Sequence, residues 1–210
     1  MAECNSSAPA IAQFATMPQY TPKQEAILRG AVRVFLQSGY AGTSMDRVAA
    51  EAGVSKQTIY SHFQDKEGLF TALMERMTIR RFQTFLGMER LQGEPALLLR
   101  QFAEGFLNHI VDDEYVALLR LIIAESVRFP ELAKLYGRTV IQTGRQLMTE
   151  FFQQHPELGF TDAEAVAHIF IGSLVSYVLA QEIFYGKEGF PLERDRLVES
   201  LLALLLEHGG

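Results

Sequence analysis

The sequence predicts an all-α protein of about nine helices, a small three-helix unit near the N-terminus followed by a larger helical body. Three observations predict it. Almost no stretch alternates with period two, whereas nearly every segment after Thr21 repeats its apolar residues three and four apart. Between Gly39 and Lys66, residues suited to capping helices and glycines suited to ending them recur at the spacing of short helices. Pro95, Pro130, Pro156 and Pro191 then punctuate a long remainder that keeps the helical period.

The first helix is expected over residues 21–38, with Pro22 in an allowed first-turn position. Ile27, Leu28, Ala31, Val34 and Phe35 form its buried face, and Gly39 ends it. Thr43 is the expected cap of the second helix, with Asp46 three residues on in capping-box spacing. Gly53 closes that helix, Ser55 caps a third, and Asp65 caps a fourth that runs over residues 66–87 or beyond. Further helices are expected over 94–111, 113–129, 131–154, 161–186 and 191–208. The last two are apolar nearly all round. Such helices need cover on both sides, and a second copy of the chain would supply it.

The formal charge of −6 argues against nucleic acid, but the average hides an asymmetry. Residues 21–81 carry nine Lys and Arg against six Asp and Glu, a net of +3, which leaves −9 for the rest. A basic module on an acidic body is the pattern expected when one part meets phosphate. The single cysteine, Cys4, permits no internal disulfide and fits a reducing cytoplasm. Residues 1–20 lack the basic start and apolar core of a signal peptide and read as a flexible arm. That arm has no Lys or Arg, so it is not expected to enter a minor groove. The most apolar run, residues 169–180, reads as too short to span a bilayer. No membrane association and a cytoplasmic location are expected.

The second and third helices carry the most specific signal. At 100° per residue, Ile59 and Phe63 share one face of the third helix, and Val54 enters from the turn. These pack on Val48, Ala49 and Ala52. Gln57 and Ser61 then point away from the core, Thr58 and Tyr60 to either side, and Lys56 and His62 along its edges. An outward Gln or Lys reaches base edges in a major groove. The hydroxyls of Ser44, Thr58 and Tyr60 suit phosphate oxygens. Lys66 adds charge where helix amides already favour an anion. A surface helix often displays such groups without function, but here two capped helices, a glycine turn and an outward aromatic ring occur together.

Segment 40–70 resembles the N-terminal domain of the TetR family of bacterial transcriptional regulators. The resemblance rests on Gly39-Tyr40, Thr43-Ser44, Val48-Ala49, Ala52-Gly53-Val54-Ser55, Thr58-Ile59-Tyr60, His62-Phe63, Lys66 and Leu69-Phe70. Val48 stands where the family more often has Ile. The resemblance implies phosphate contacts from Ser44, Thr58, Tyr60, His62 and Lys66. It implies base contacts from Lys56 and Gln57, with Ser61 as a further candidate; Ser55, the expected cap of the third helix, completes the candidate DNA-binding residues. Residues 118–132 are similar to the C-terminal domain of the AefR-like branch. Such proteins dimerise through their last two helices and bind ligands in the body.

The body lacks catalytic signals. His109, His155, His168 and His208 have no metal-ligand spacing, and there is neither a glycine-rich phosphate loop nor a nucleophile elbow. No enzyme activity, cofactor or metal is expected. Asp112, Asp113 and Glu114 read as a helix N-terminus rather than an acid pair. Phe102, Phe106, His109, Leu119, Ile123, Phe170, Leu174 and Tyr177 mix apolar walls with polar tips and form a candidate ligand pocket, although each alone also reads as core. Ile169, Val175, Leu179, Leu197, Leu201 and Leu205 form a candidate dimer interface. Arg120 and Glu125 are polar positions in an apolar helix, suited to orienting a ligand, to pairing with each other or to meeting a partner.

The expected function is that of a homodimeric repressor that binds double-stranded DNA at a palindromic operator and is released by a small, largely apolar inducer. The expected organisation is an arm over 1–20, a DNA-binding domain over 21–68 and a ligand-binding and dimerisation domain over 69–210. Three alternatives stay open: a helical small-molecule-binding protein with an idle DNA module, an activator of the same fold, and a protein-interaction adaptor.

Overall fold

The computed structural model describes residues 20–81 and 94–206. Among the described residues every regular element is helical. Helix α1 spans Pro22–Gly42, and its cap Thr21 forms a reciprocal capping box with Gln24. It is bent at Gly39, where φ is +69°, so the sequence stop signal marks a kink rather than an end. Helix α2 is Met45–Ala52, α3 is Lys56–Phe63 and α4 is Lys66–Glu75, which continues through one wider turn over Arg76–Arg80. The expected extension of α4 to residue 87 lies outside the described residues.

Capping explains the short helices. Ser55 accepts the amide of Thr58, and Asp65 accepts that of Gly68 at 2.7 Å, as the sequence indicates. The cap of α2 is Ser44, not Thr43. Thr43 is buried, and its hydroxyl donates to the Gly39 carbonyl at 2.8 Å. With its side chain turned into α1, it leaves the amide of Arg47 to Ser44.

In the body, α5 is Pro95–Gly105 with a wider turn at Phe106–Ile110. Helix α6 is Asp113–Glu125, four residues shorter than expected. Helix α7 begins at Pro130–Tyr136, widens over Gly137–Gln142 and continues as Thr143–Gln154. Helix α8 is Ala163–Val178 plus a wider turn at Leu179–Ile183. Helix α9 is the four-residue Gly186–Gly189, and α10 is Arg194–Leu206. The expected end of α10 at His208 lies outside the described residues.

One buried core runs through both parts. Ile27, Leu28, Ala31, Val34 and Phe35 of α1 are buried as the period requires, against Val48, Ile59, Phe63, Leu69 and Phe70. In the body, Phe170 of α8 meets Phe102 of α5 at 5.7 Å and Phe152 of α7 at 6.4 Å between ring centroids. Helix α10 closes the body against α5, where Arg100 grips Glu199 with two bonds of 2.7 and 2.9 Å.

Helix α6 joins the two parts. At its start, Asp112 and Glu114 meet Arg81 at 2.7 and 3.2 Å. At its end, Glu125 accepts the amide of Tyr40 at 3.2 Å. The two polar residues of α6 therefore do not pair with each other. Arg120 instead donates to the Glu182 carbonyl and lies 4.8 Å over the ring of Tyr185.

Candidate nucleic-acid interface

Helix α3 buries only Ile59 and Phe63, four residues apart, and its other side chains reach the surface to differing degrees. Ile59 is fully covered, which fixes the rotation of the helix on its core. Lys56, Gln57, Tyr60, Ser61 and His62 are exposed as a consequence, and Thr58 is half-buried. Tyr60 leaves 42% of its surface in water. The Gly53 turn between α2 and α3 has φ +66°, and its amide closes α2 onto Ala49 and Ala50.

The local hydrogen bonds preset several of these side chains. Ser55 and Thr58 share a hydroxyl–hydroxyl contact of 2.9 Å at the start of α3. Ser61 donates back to the Thr58 carbonyl at 2.8 Å, so its hydroxyl lies along the helix with a lone pair free to accept. Lys56 pairs with Asp46 of α2 at 2.8 Å, and that carboxylate raises the ammonium pKa above its ordinary value. Both partners are solvated, so a phosphate or base edge can compete for the lysine. Ser44, at the α2 cap, is exposed beside this face.

Lys66 stands at the N-terminal end of α4, as the sequence indicates, and its side chain turns back along the unit. Its ammonium donates to the carbonyls of Ala41 and Thr43 at 3.3 and 2.8 Å, inside the unit. The sequence gives no sign of this, because the partners come from a turn more than twenty residues away. Sequence reasoning gave Asp46 a capping place and missed its pairing with Lys56. It passed over Arg47, held by the Ser38 hydroxyl at 2.6 Å on the exposed side of α2. An acidic residue ten positions before an exposed lysine was the available signal for Asp46.

The body residues scatter. Phe170 and Leu174 are fully buried core, Leu119 is buried, Phe102 and Phe106 are half-buried, and Ile123 is 45% exposed. The side chain of His109 lies outside those described. Tyr177 lines an open groove of about 540 Å³ along α8, with Ile169, Gly172, Ser173, Ser176 and Leu197. Its hydroxyl is tied to the Leu192 carbonyl at 2.8 Å.

Of the candidate interface residues, Ile169 is 56% exposed, and Val175, Leu179 and Leu197 are half-buried. Leu201 and Leu205 are buried in the chain's own core instead, and Leu204 is the leucine of α10 that faces out, at 65%. On a helix packed this tightly against α5, the side turned inward takes the leucines four apart. Helix α8 with its wider turn, Ala163–Ile183, is 21 residues, long and apolar enough to cross a membrane by length and composition. The run expected to be too short is thus extended by that turn. Among the described residues no group of three His, Cys, Asp or Glu side chains comes close enough to hold a metal.

Comparison with known proteins places this geometry. Residues 27–73 match the model of bacterial regulatory proteins of the tetR family, and residues 98–208 match the AefR-like transcriptional repressor C-terminal domain. The HTH-type transcriptional regulator AcrR of Shigella flexneri is 34% identical over 114 residues, 51% of this chain. That match spans about half of AcrR, 53% of its length. The HTH-type transcriptional repressor BepR of Brucella suis is 25% identical across 84% of this chain and 88% of its own. Among solved structures, a TetR-family transcriptional regulator from Mesorhizobium loti superposes with a TM-score of 0.69 at 26% identity, covering 90% of this chain and 98% of that one. The flavonoid-responsive regulator FrrA superposes with a TM-score of 0.67 at 28% identity, covering 88% and 95%. With the C-terminal model alone matching more than half of the residues, the chain belongs to the TetR family of bacterial regulatory proteins.

Proposed function

We propose that the protein is a cytoplasmic, homodimeric transcriptional repressor that binds a palindromic operator and releases it on taking up a small, largely apolar ligand. The observation that carries this reading is α3: eight residues, two buried anchors, and Lys56, Gln57, Tyr60, Ser61 and His62 all exposed. Such a helix is held rigidly by its core and offers hydrogen-bonding groups to a major groove. Phosphate contacts fall to Ser44, Thr58, Tyr60, His62 and Lys66, and base contacts to Lys56 and Gln57 with Ser61, while Ser55 caps α3 beside them. The role is recognition rather than catalysis.

A second copy across α8 and α10 supports the two-fold operator. Ile169 and Leu204 are exposed, and Gly172, Ser173 and Ser176 leave room for close approach of another helix. Dimer cover also accounts for an apolar α8 without a membrane. FrrA is named as flavonoid-responsive, which supports a small aromatic effector here. An effector acts only through its differential affinity for the two states, and DNA weakens its binding by the same factor, on the order of 5–150-fold.

The test begins with duplexes selected from a random-sequence library by the full-length protein. Replacing Lys56 and Tyr60 together by alanine should abolish the gel shift on the selected duplex while the size of the particle in solution stays unchanged. A retained shift in that double variant would sink the assignment of α3.

A further inference from the structure

Asp46 stands in the first turn of α2, and Lys56 is the first residue of α3. With Ser44 as the cap, the Asp46 carboxylate is not needed to close the end of α2. Its Oδ2 instead accepts from Lys56 Nζ at 2.8 Å, across the gap between the two helices. Both partners lie in water, with 69% of the Asp46 side chain and 47% of the Lys56 side chain exposed. A pair this open adds little stability. Val48, Ala49 and Ile59, buried in one core, hold α2 and α3 together without it. The pair stands at the leading end of the helix assigned above to the major groove.

We infer that Asp46 and Lys56 act as one unit that reads a single G·C base pair in each half of the operator. A carboxylate facing DNA is repelled by phosphate, so its attractive partner there is a base amino group, cytosine N4 or adenine N6. The lysine beside it decides between them. Guanine O6 and cytosine N4 are bonded to each other and lie side by side on the major-groove edge. The ion pair carries the complementary pattern, a donor for O6 beside an acceptor for the N4–H. Its separation also matches, because a hydrogen bond within a base pair spans about 2.9 Å. One ammonium N–H is taken by Asp46, and two remain for guanine O6 and N7. In an A·T pair the ammonium would meet one acceptor, thymine O4, beside a methyl group. The unit is neutral as a whole, so it adds discrimination and little salt-dependent affinity. This inference rests on the DNA-binding reading above and gives Asp46 a base contact of its own.

The experiment uses the full chain and a duplex selected by the wild-type protein, with salt lowered until every variant binds. Each cytosine of one half-site is replaced in turn by N4-methylcytosine, which keeps its pair with guanine and turns a methyl outward in place of the N4–H. At one position the wild-type protein should bind about ten-fold more weakly, within the range of a lost base contact. In Asp46→Ala the same methyl should change affinity by less than about two-fold. The guanine of that pair is then replaced by 7-deazaguanine, which lacks the N7 acceptor. The wild-type protein should again weaken, and Lys56→Met should not. A wild-type protein indifferent to the methyl at every cytosine would overturn the unit, as would an Asp46→Ala protein as sensitive as wild type. So would a 7-deazaguanine response that depends on Lys56 but falls in a different base pair. Should Asp46→Ala fail to fold, Asp46→Ser takes its place under the same criteria. Failure of the wild-type protein to select any duplex would instead defeat the DNA-binding reading itself.

Discussion

Asp112 shows how one side chain does two jobs at the start of α6. It caps the helix by accepting the amide of Tyr115 at 2.8 Å, and it pairs with Arg81 at 2.7 Å. Burial pushes its carboxyl pKa up, but the Arg81 guanidinium and the amide together hold it below the ordinary value. A carboxyl that titrates lower when folded stabilises the protein fully above its unfolded pKa, near 3.9. That stability is lost as pH falls through the folded value. Asp112→Asn keeps a good cap and removes the charge. It should therefore be less stable than wild type at pH 7 by under about 1 kcal/mol, because the pair is partly solvated. Denaturation curves for the two proteins should converge as the pH is lowered below about 3. A gap that persists there would mean that the charge is not what matters. At this scale the sequence was informative where chemistry is local. The acidic run reads as a helix start, and it is one. Lys66 was not legible, because its partners are carbonyls brought to it by tertiary packing.

Short helices depend on their ends, and the turn between α3 and α4 is the tightest in the reading unit. Gln64 holds φ +65° and ψ −60°, and the amide of Asp65 reaches back to the Phe63 carbonyl at 2.8 Å. This is a γ-turn in its rare, strained form. It lets α4 start with only two residues between it and the end of α3, so that Phe63 and Leu69 enter the same core. A side chain at such φ costs about 1–3 kcal/mol, and glycine loses roughly 0.5–1 kcal/mol through its freer unfolded chain. Gln64→Gly should accordingly raise stability by about 1 kcal/mol in urea melts. A loss of stability would show that the Gln64 side chain holds something. Helix starts at Ser55 and Asp65 could be read from the chain because each has one suitable residue before an apolar run. Thr43 and Ser44 are adjacent and equally suited, and only the burial of Thr43 separates them. The wider turns in α4, α5, α7 and α8 have no local signature, so the boundaries of the body helices drifted.

Across the whole molecule, legibility follows the contrast between polar and apolar faces. Helix α3 has two anchors among polar neighbours, and its outward residues fall where the wheel puts them. Helix α8 is apolar nearly all round, and the second half of α10 is a run of leucines and one alanine, so sequence could not say which leucines turn inward. Leu201 and Leu205 went to the core, and Ile169 and Leu204 stayed outside. If α8 and α10 meet a second copy, Ile169→Glu together with Leu204→Glu places carboxylates in that contact without touching the monomer core. The pair should convert a dimer to a monomer in sedimentation and lose operator binding, with helical content unchanged. A double variant that still sediments as a dimer would remove α8 and α10 as the interface. The tie between Tyr40 and the last turn of α6 bears on how such proteins can be recombined. A chimera cut after residue 68 would carry Tyr40 to a new body and leave Glu125 and Phe129 behind, so the transplant travels intact only with the acceptor and the ring that its bend was shaped around.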